Sequence, residues 1–293
     1  MRELYALNMG MEACSYCTTG VLIDQNNQPF LFRNLDWDED FFREFTIRIN
    51  ATKNGEMVYR GVSFLGQVGI FTGMNKEFAA AINYRRSPNS SPSETAEWWG
   101  MLDNAAQQIY SGKSRWGASM LLRNVLESEE SFSGAINRLE TEETISPVYF
   151  IAASKEIGPE GGGVVITRDQ SSYKTRSISD ALSIRGIRSV VQTNIDYTED
   201  GGYEQKQLET NWGGDDLLLN ERYGMGPKTR QDKTTEYIRS KECHTQHDIL
   251  GYISEPCRSE PVANHQTIFS SILTPSTGEL WLKVLPADID HVP

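Results

Sequence analysis

The sequence predicts an α+β domain built in layers, and three observations lead there. Segments with strand character come first, helical periodicity occupies the middle, and strand character returns toward the end. That order favours stacked layers over a parallel doubly wound sheet. No internal repeat and no linker divides the 293 residues, a length that one large domain accommodates. Hydrophobic residues make up 38% and charged residues 23%, the balance of a chain with a core rather than of a disordered one.

Taken in order, residues 1–16 read as a short amphipathic helix. Thr18 to Asp24 is rich in β-branched residues, and Gln25-Asn26-Asn27-Gln28-Pro29 is a polar turn before Phe30 to Arg33. Together they predict a hairpin. A second hairpin is predicted with strands Val68–Thr72 and Phe78–Ile82 around the turn Met74 to Glu77. Arg85 to Thr95, with its serines and prolines, reads as an exposed loop. Trp98, Met101, Ala105 and Ile109 repeat at helical spacing, as do Ala118, Leu121, Leu122 and Val125. A further helix is predicted over Ser131–Glu140. Strands resume at Val148–Ala153, Val164–Arg168 and Arg188–Gln192. Tyr197–Thr210 is polar and reads as a loop, and Thr229–Tyr237 starts a helix. A last hairpin joins Thr267–Leu273 to Glu279–Leu285 through Thr274 to Gly278.

Composition excludes several function classes. Lys and Arg number 28 against 40 Asp and Glu, a net charge of −12. Nucleic-acid binding needs clustered basic residues and is not expected. No apolar run reaches the length of a membrane-spanning helix, so no transmembrane segment is expected. The first ten residues include Arg2, Glu3 and Asn8, which does not resemble a secretory signal. Asn50-Ala51-Thr52 and Asn89-Ser90-Ser91 are glycosylation triplets and carry little weight.

The four cysteines, Cys14, Cys17, Cys243 and Cys257, are too sparse for a disulfide scaffold. Cys14-Ser15-Tyr16-Cys17 has redox-pair spacing, but a strand rather than a helix follows it. Cys243, His244, His247 and Cys257 match no familiar zinc spacing. What remains is the geometry of the first hairpin. Its ends bring Cys17 toward Arg33-Asn34-Leu35-Asp36. A cysteine attacks as its thiolate, and a nearby arginine favours that form. An adjacent aspartate can hold the arginine or orient an amine. The same residues also fit a surface Arg–Asp pair beside a buried thiol, and the sequence alone leaves both readings open.

Beyond single residues, the chain from about Glu3 to Asp290 resembles the acid ceramidase and N-acylethanolamine acid amidase family. These are N-terminal-nucleophile hydrolases related to choloylglycine hydrolases. Cys17-Thr18-Thr19 is similar to the family's nucleophile motif, and Arg33-Asn34-Leu35-Asp36-Trp37 to its Arg-Asn-x-Asp-aromatic motif. Val190-Val191-Gln192-Thr193-Asn194 resembles a family strand end, and Asn220-Glu221-Arg222 falls where the family has an acidic pair and an arginine. Pro147 to Ile151 and Val165 to Asp169 also resemble family segments.

The resemblance implies an αββα four-layer sandwich, with residues 1–16 a pro-segment or the remnant of an upstream subunit and 17–293 the hydrolase domain. It implies cleavage before Cys17, whose freed α-amine, of pKa roughly 8, acts as base for its own thiol. The thiol would then open the amide of an N-acyl lipid through an acyl-thioester, with no cofactor. Arg33 would contact the nucleophile, Asp36 the new amine, Asn194 the oxyanion, and Arg222 the cluster from its far side. Two departures stand out. Asn83-Tyr84-Arg85 lacks the glutamate of the amidase branch, leaving the Tyr84 backbone N–H as a candidate oxyanion donor or Tyr84 as a strand-end aromatic. The segment before Cys17 is also short for the family, so association with a missing N-terminal segment is an expectation. A truncated reading implies a lysosomal or secretory protein, and a complete one a cytoplasmic protein. Other small amides (bile-salt conjugates, penicillins, acyl-homoserine lactones) and a non-catalytic lipid-binding role remain as alternatives.

Overall fold

The computed structural model describes residues 16–37, 39–85, 115–180, 188–197, 226–240, 245–254, 262–264 and 266–286. The first hairpin is present and longer than its turn signals suggest. β1 runs Tyr16–Ile23 and β2 Pro29–Asp36, paired antiparallel from Tyr16 opposite Asp36 to Ile23 opposite Pro29. Asp24 closes the turn by accepting from the backbone N–H groups of Asn26 and Gln28. The extension puts Cys17 and the whole Arg33–Asp36 motif inside the ladder.

The stretch between the two expected hairpins holds elements that apolar alternation did not reveal. A single turn, α1 (Phe42–Phe45), leads into β3 (Thr46–Lys53) and β4 (Glu56–Phe64). Their two-residue turn is Asn54-Gly55, both at positive φ, 56° and 86°, as a tight hairpin needs. The next hairpin corrects the sequence reading. Its first strand, β5, spans only Thr72–Met74, and β6 spans Phe78–Tyr84. The segment before β5 leaves the ladder to pack on the following helix. Ile70 N–H donates to the Ser119 carbonyl, and a side chain on Gly69 would collide with Ser119.

The central helices and the strands after them follow their patterns. α2 covers Ala118–Ser128 and α3 Phe132–Thr141, the second capped by the Ser131 side chain. β7 (Val148–Ser154) and β8 (Gly163–Arg168) come next. β9 (Tyr173–Ser177) was not expected, because its polar residues give no apolar face. β10 is Ser189–Gln192 and α4 is Pro227–Ser240. α5 (Gln246–Ser254) was also unforeseen. Its start carries a local signal, Thr245 and Asp248 exchanging side-chain and backbone hydrogen bonds. β11 (Thr267–Thr274) and β12 (Glu279–Val284) form the closing hairpin. The helices expected over residues 1–16 and from Trp98 to Ile109 fall outside the described residues, apart from Tyr16, which begins β1. So does all of the Tyr197–Thr210 loop except Tyr197.

All pairings in the two sheets are antiparallel. One sheet has the order β10-β1-β2-β11-β12, the other β3-β4-β5-β6-β7-β8-β9. Val21, Ile23 and Leu31 of the first pack against Ala79, Ala81, Tyr149, Ile151 and Val165 of the second. On the outer face of the first sheet, Leu22, Phe30 and Phe32 meet Ile238, Ile249 and Ile253 of α4 and α5. On the outer side of the second, Leu121, Leu122 and Val125 of α2 and Leu139 of α3 join Phe78, Ala80 and Phe150. The result is the αββα sandwich. With a layer on each side, every residue of β2 is buried, which is why that strand reads as a nearly continuous apolar run with polar residues only at its end. Gly20 is needed where β1 crosses: a Cβ there would lie 2.5 Å from the Phe32 ring. Among the described residues no helix is long and apolar enough to cross a membrane.

Candidate active site

The two faces of the first sheet give the site two halves. Alternation turns Cys17 and Thr19 of β1, with Arg33 of β2, toward the second sheet, and Thr18 and Asp36 toward the helices. Arg33 sits opposite Thr19 and diagonal to Cys17, a spacing a long side chain spans. Its Nη2 donates to Cys17 Sγ at 3.0 Å. Its Nη1 crosses to the second sheet, donating to Thr72 Oγ1 at 2.7 Å and to the Phe71 carbonyl at 2.5 Å. Arg33 and Cys17 are both fully buried. The guanidinium is therefore fixed from behind and presents positive charge to the sulfur. Beside it, Thr19 donates to Asn83 Oδ1 at 2.6 Å, and Asn83 Nδ2 donates to the Gln192 carbonyl at 2.7 Å. Asn83 thus ties β6 to β1 and β10 just behind Cys17.

The end of β10 supplies the next group. Cys17 N–H donates to Asn194 Oδ1 at 2.9 Å, and Asn194 Nδ2 donates to the Tyr84 carbonyl at 2.8 Å. α4 docks onto the same strand end through Gln231, which accepts from Thr193 N–H and donates to the Val191 carbonyl. One residue earlier, Arg230 turns inward, 2% exposed. It donates to the Cys17 carbonyl at 2.7 Å, Thr18 Oγ1 at 2.9 Å and Asn194 Oδ1 at 3.0 Å, and reaches Asp36 Oδ2 at 3.5 Å. Thr267 Oγ1 donates to the other oxygen of Asp36 at 2.6 Å.

Burial sets the electrostatics of Asp36. Loss of solvation raises its pKa above the ordinary 3.8, and Arg230, the Thr267 hydroxyl, Arg33 and Asn264 pull it back without cancelling the rise. The folded chain then holds this proton more tightly than the unfolded one. Its contribution to stability is full below 3.8 and is lost as pH rises through the folded value. Melts of the wild type and Asp36→Asn between about pH 4 and 7 should show the wild type losing ground to the variant as pH rises. A gap moving the other way would contradict this account.

Four of the six residues singled out by sequence meet around one point: Cys17, Arg33, Asp36 and Asn194. Asp36 lies on the far face of its strand, and the Cys17 N–H is held by Asn194 instead. Tyr84 is present through its carbonyl, bonded to Asn194. Arg222 lies outside the described residues, as do Cys14, Cys243 and Cys257, while His247 sits on α5. Arg230 was missed. It stands in a polar helix whose sequence, Pro-Lys-Thr-Arg-Gln-Asp-Lys, reads as a solvated face. Arg85, at the start of the stretch read as an exposed loop, is 5% exposed; the loop residues after it lie outside the described ones.

Two facing antiparallel sheets between helical layers, with the cysteine near the start of a central strand, define the N-terminal-nucleophile hydrolase fold. The solved structure of a Caenorhabditis elegans N-acylethanolamine-hydrolyzing acid amidase ortholog has this fold. It superposes with a TM-score of 0.57 at 23% identity, over 92% of this chain and 100% of the other. In sequence the chain is 28% identical over 194 residues to the N-acylethanolamine-hydrolyzing acid amidase of Cavia porcellus, covering 66% of this chain and 50% of that protein. It is 24% identical over 292 residues to the acid ceramidase of Mus musculus, covering 94% of this chain and 64% of that protein. The chain is thus similar in sequence to N-acylethanolamine-hydrolyzing acid amidases and acid ceramidases, and in fold to one such amidase ortholog. It spans about half the length of the first of these curated relatives. No protein-family model matches it.

Proposed function

We propose that the chain is a self-processing cysteine amidase that hydrolyses the amide of N-acyl lipids of the N-acylethanolamine or ceramide type. The observation that carries the reading is the pair of contacts on one residue: Arg33 at 3.0 Å from Cys17 Sγ and Asn194 at 2.9 Å from Cys17 N. Sulfur and nitrogen of the same cysteine are each held by a separate polar group, as a residue that is both nucleophile and base requires. The names of the family relatives support the substrate class.

Maturation begins when Sγ attacks the Tyr16 carbonyl carbon. The Tyr16–Cys17 C–N bond breaks, the nitrogen takes up the proton, and water hydrolyses the thioester to leave a Tyr16 carboxylate and a free Cys17 amine. In catalysis that amine takes the thiol proton. The thiolate adds to the substrate carbonyl while Asn194 Nδ2 and the Tyr84 backbone N–H face the oxyanion. The proton passes to the leaving amine, and water, activated by the same base, releases the fatty acid. Arg33 balances charge on sulfur, and Arg230 holds the Cys17 carbonyl and Asn194 in place.

The test is a time course of intact mass and activity on the purified chain. Residues 1–16 should be lost while hydrolysis of N-acylethanolamine or ceramide rises, at a rate independent of protein concentration. Full hydrolysis by a homogeneous uncleaved chain would overturn the mechanism. Faster turnover of a penicillin, a bile-salt conjugate or an acyl-homoserine lactone would overturn the substrate class.

A further inference from the structure

A second buried polar cluster lies within two residues of each of two site groups. Arg85 follows Tyr84, whose carbonyl accepts from Asn194, and Asp196 lies two residues beyond Asn194. Arg85 grips Asp196 with both ends of its fork, Nε to Oδ1 and Nη2 to Oδ2, each at 2.6 Å. Its Nη1 donates to Asp169 Oδ1 at 2.5 Å and to the Arg168 carbonyl at 3.1 Å. Tyr149 on β7 donates its hydroxyl to Asp196 Oδ1 at 2.6 Å, and the guanidinium carbon lies 5.8 Å from the centre of the Tyr149 ring. The Arg85 and Asp196 side chains are 6% and 13% exposed, so this pair is shielded from water and salt, unlike a surface ion pair.

The cost of burying these charges calls for a reason beyond stability. A buried ion pair is often no better for stability than an apolar replacement of the same shape, and its best-attested use is to fix one arrangement among several. Here the arrangement fixed is the approach of two chain segments, Tyr84-Arg85 and Asn194-Ile195-Asp196. That approach sets the 2.8 Å bond from Asn194 Nδ2 to the Tyr84 carbonyl. With Nδ2 held there, Oδ1 of the same amide must face the Cys17 nitrogen and Arg230. A rotated amide would set a donor against the Cys17 N–H.

We propose that Arg85, Asp196 and Tyr149 form a clamp that positions the Asn194 amide for its work at Cys17. The inference rests on the proposed amidase reading for its catalytic consequence, but not for its geometry. None of the three touches the nucleophile, so all act as positioning residues. The bidentate grip makes the requirement specific for arginine, since lysine carries the charge without the planar fork.

Three variants grade the effect. Tyr149→Phe removes one hydrogen bond and leaves the packing, Arg85→Lys keeps the charge, and Arg85→Met removes both charge and fork. The first measurement is amide hydrogen exchange in the uncleaved chain, with Cys17→Ala as background so that no processing occurs. The residue-17 amide should exchange faster by about tenfold or more in Arg85→Met, less in the other two, while Phe150 and Ile151 of β7 keep their protection. Unchanged exchange at residue 17, or equal loss of protection through β7, would overturn the clamp. The second measurement is turnover per titratable Cys17 thiol. It should fall by up to about a hundredfold, as displacement of a supporting group by an ångström can cause, with KM within about threefold. Unaltered kcat for a substitution that makes the residue-17 amide labile in the Cys17→Ala background would equally overturn it. Failure of the amidase reading shows differently, as hydrolysis that survives Cys17→Ala or is absent from the wild type. The exchange measurement then decides the clamp alone.

Discussion

Replacing Cys17 with alanine should lower amide hydrolysis by roughly a millionfold, the scale set by removing a covalent nucleophile, and should stop the loss of residues 1–16. In the proposed mechanism one sulfur serves both reactions, so the two effects should appear together. The fold should survive, because only Sγ is removed from a residue that keeps its place in β1 opposite Leu35. Arg33 also retains its bonds to Thr72 and Phe71 across the sheets. Intact mass, melting temperature and turnover measured on the same sample check this. A chain that is folded, uncleaved and still active would remove Cys17 from the chemistry altogether.

Asn194→Ala is expected to slow turnover by about a hundred- to a thousandfold, with KM little changed. In the proposed mechanism the donor on Nδ2 matters most once negative charge has moved onto the carbonyl oxygen, so its loss should fall on kcat. Oδ1 has a separate task. It accepts from the Cys17 nitrogen, and after cleavage an acceptor there orients the amine so that its lone pair can face the thiol proton. Asn194→Asp keeps an acceptor and loses the donor, and steady-state kinetics on both variants separate the two tasks. An aspartate variant with near wild-type kcat would exclude the oxyanion role. An effect confined to KM would exclude both.

Local patterns made much of this molecule legible. Ala118, Leu121, Leu122 and Val125 face one way on α2 because a helix brings every third or fourth residue to the same side, and that side is the one buried. The first and last hairpins were announced by turn residues. The hairpin of β3 and β4 was harder to read, since its outer strand is largely exposed and therefore lacks an apolar face to repeat. Its one signal was Asn54-Gly55. The site divides the same way. Cys17 and Arg33 share a hairpin, and their proximity follows from counting residues along a ladder. Arg230 had no such cue. Its burial is decided by the Cys17 carbonyl, Thr18 and Asn194, acceptors far away in sequence, and nothing in the helix itself distinguishes it from Lys228 or Lys233. Arg85 likewise reads as a loop residue until Asp196 and Asp169 are folded against it.

The contacts around Cys17 also have an order in time. Arg33 is 16 positions away, Asn194 is 177 and Arg230 is 213. During synthesis, at about 5–20 residues per second, the sulfur and its arginine emerge within seconds of each other. The groups that hold the Cys17 nitrogen and carbonyl arrive last. A nascent chain therefore carries a thiol beside the Tyr16–Cys17 bond long before it can orient that bond. Under the proposed self-processing this arrangement would work as a checkpoint, because the peptide would be presented for attack only after the end of β10 and α4 had closed on β1.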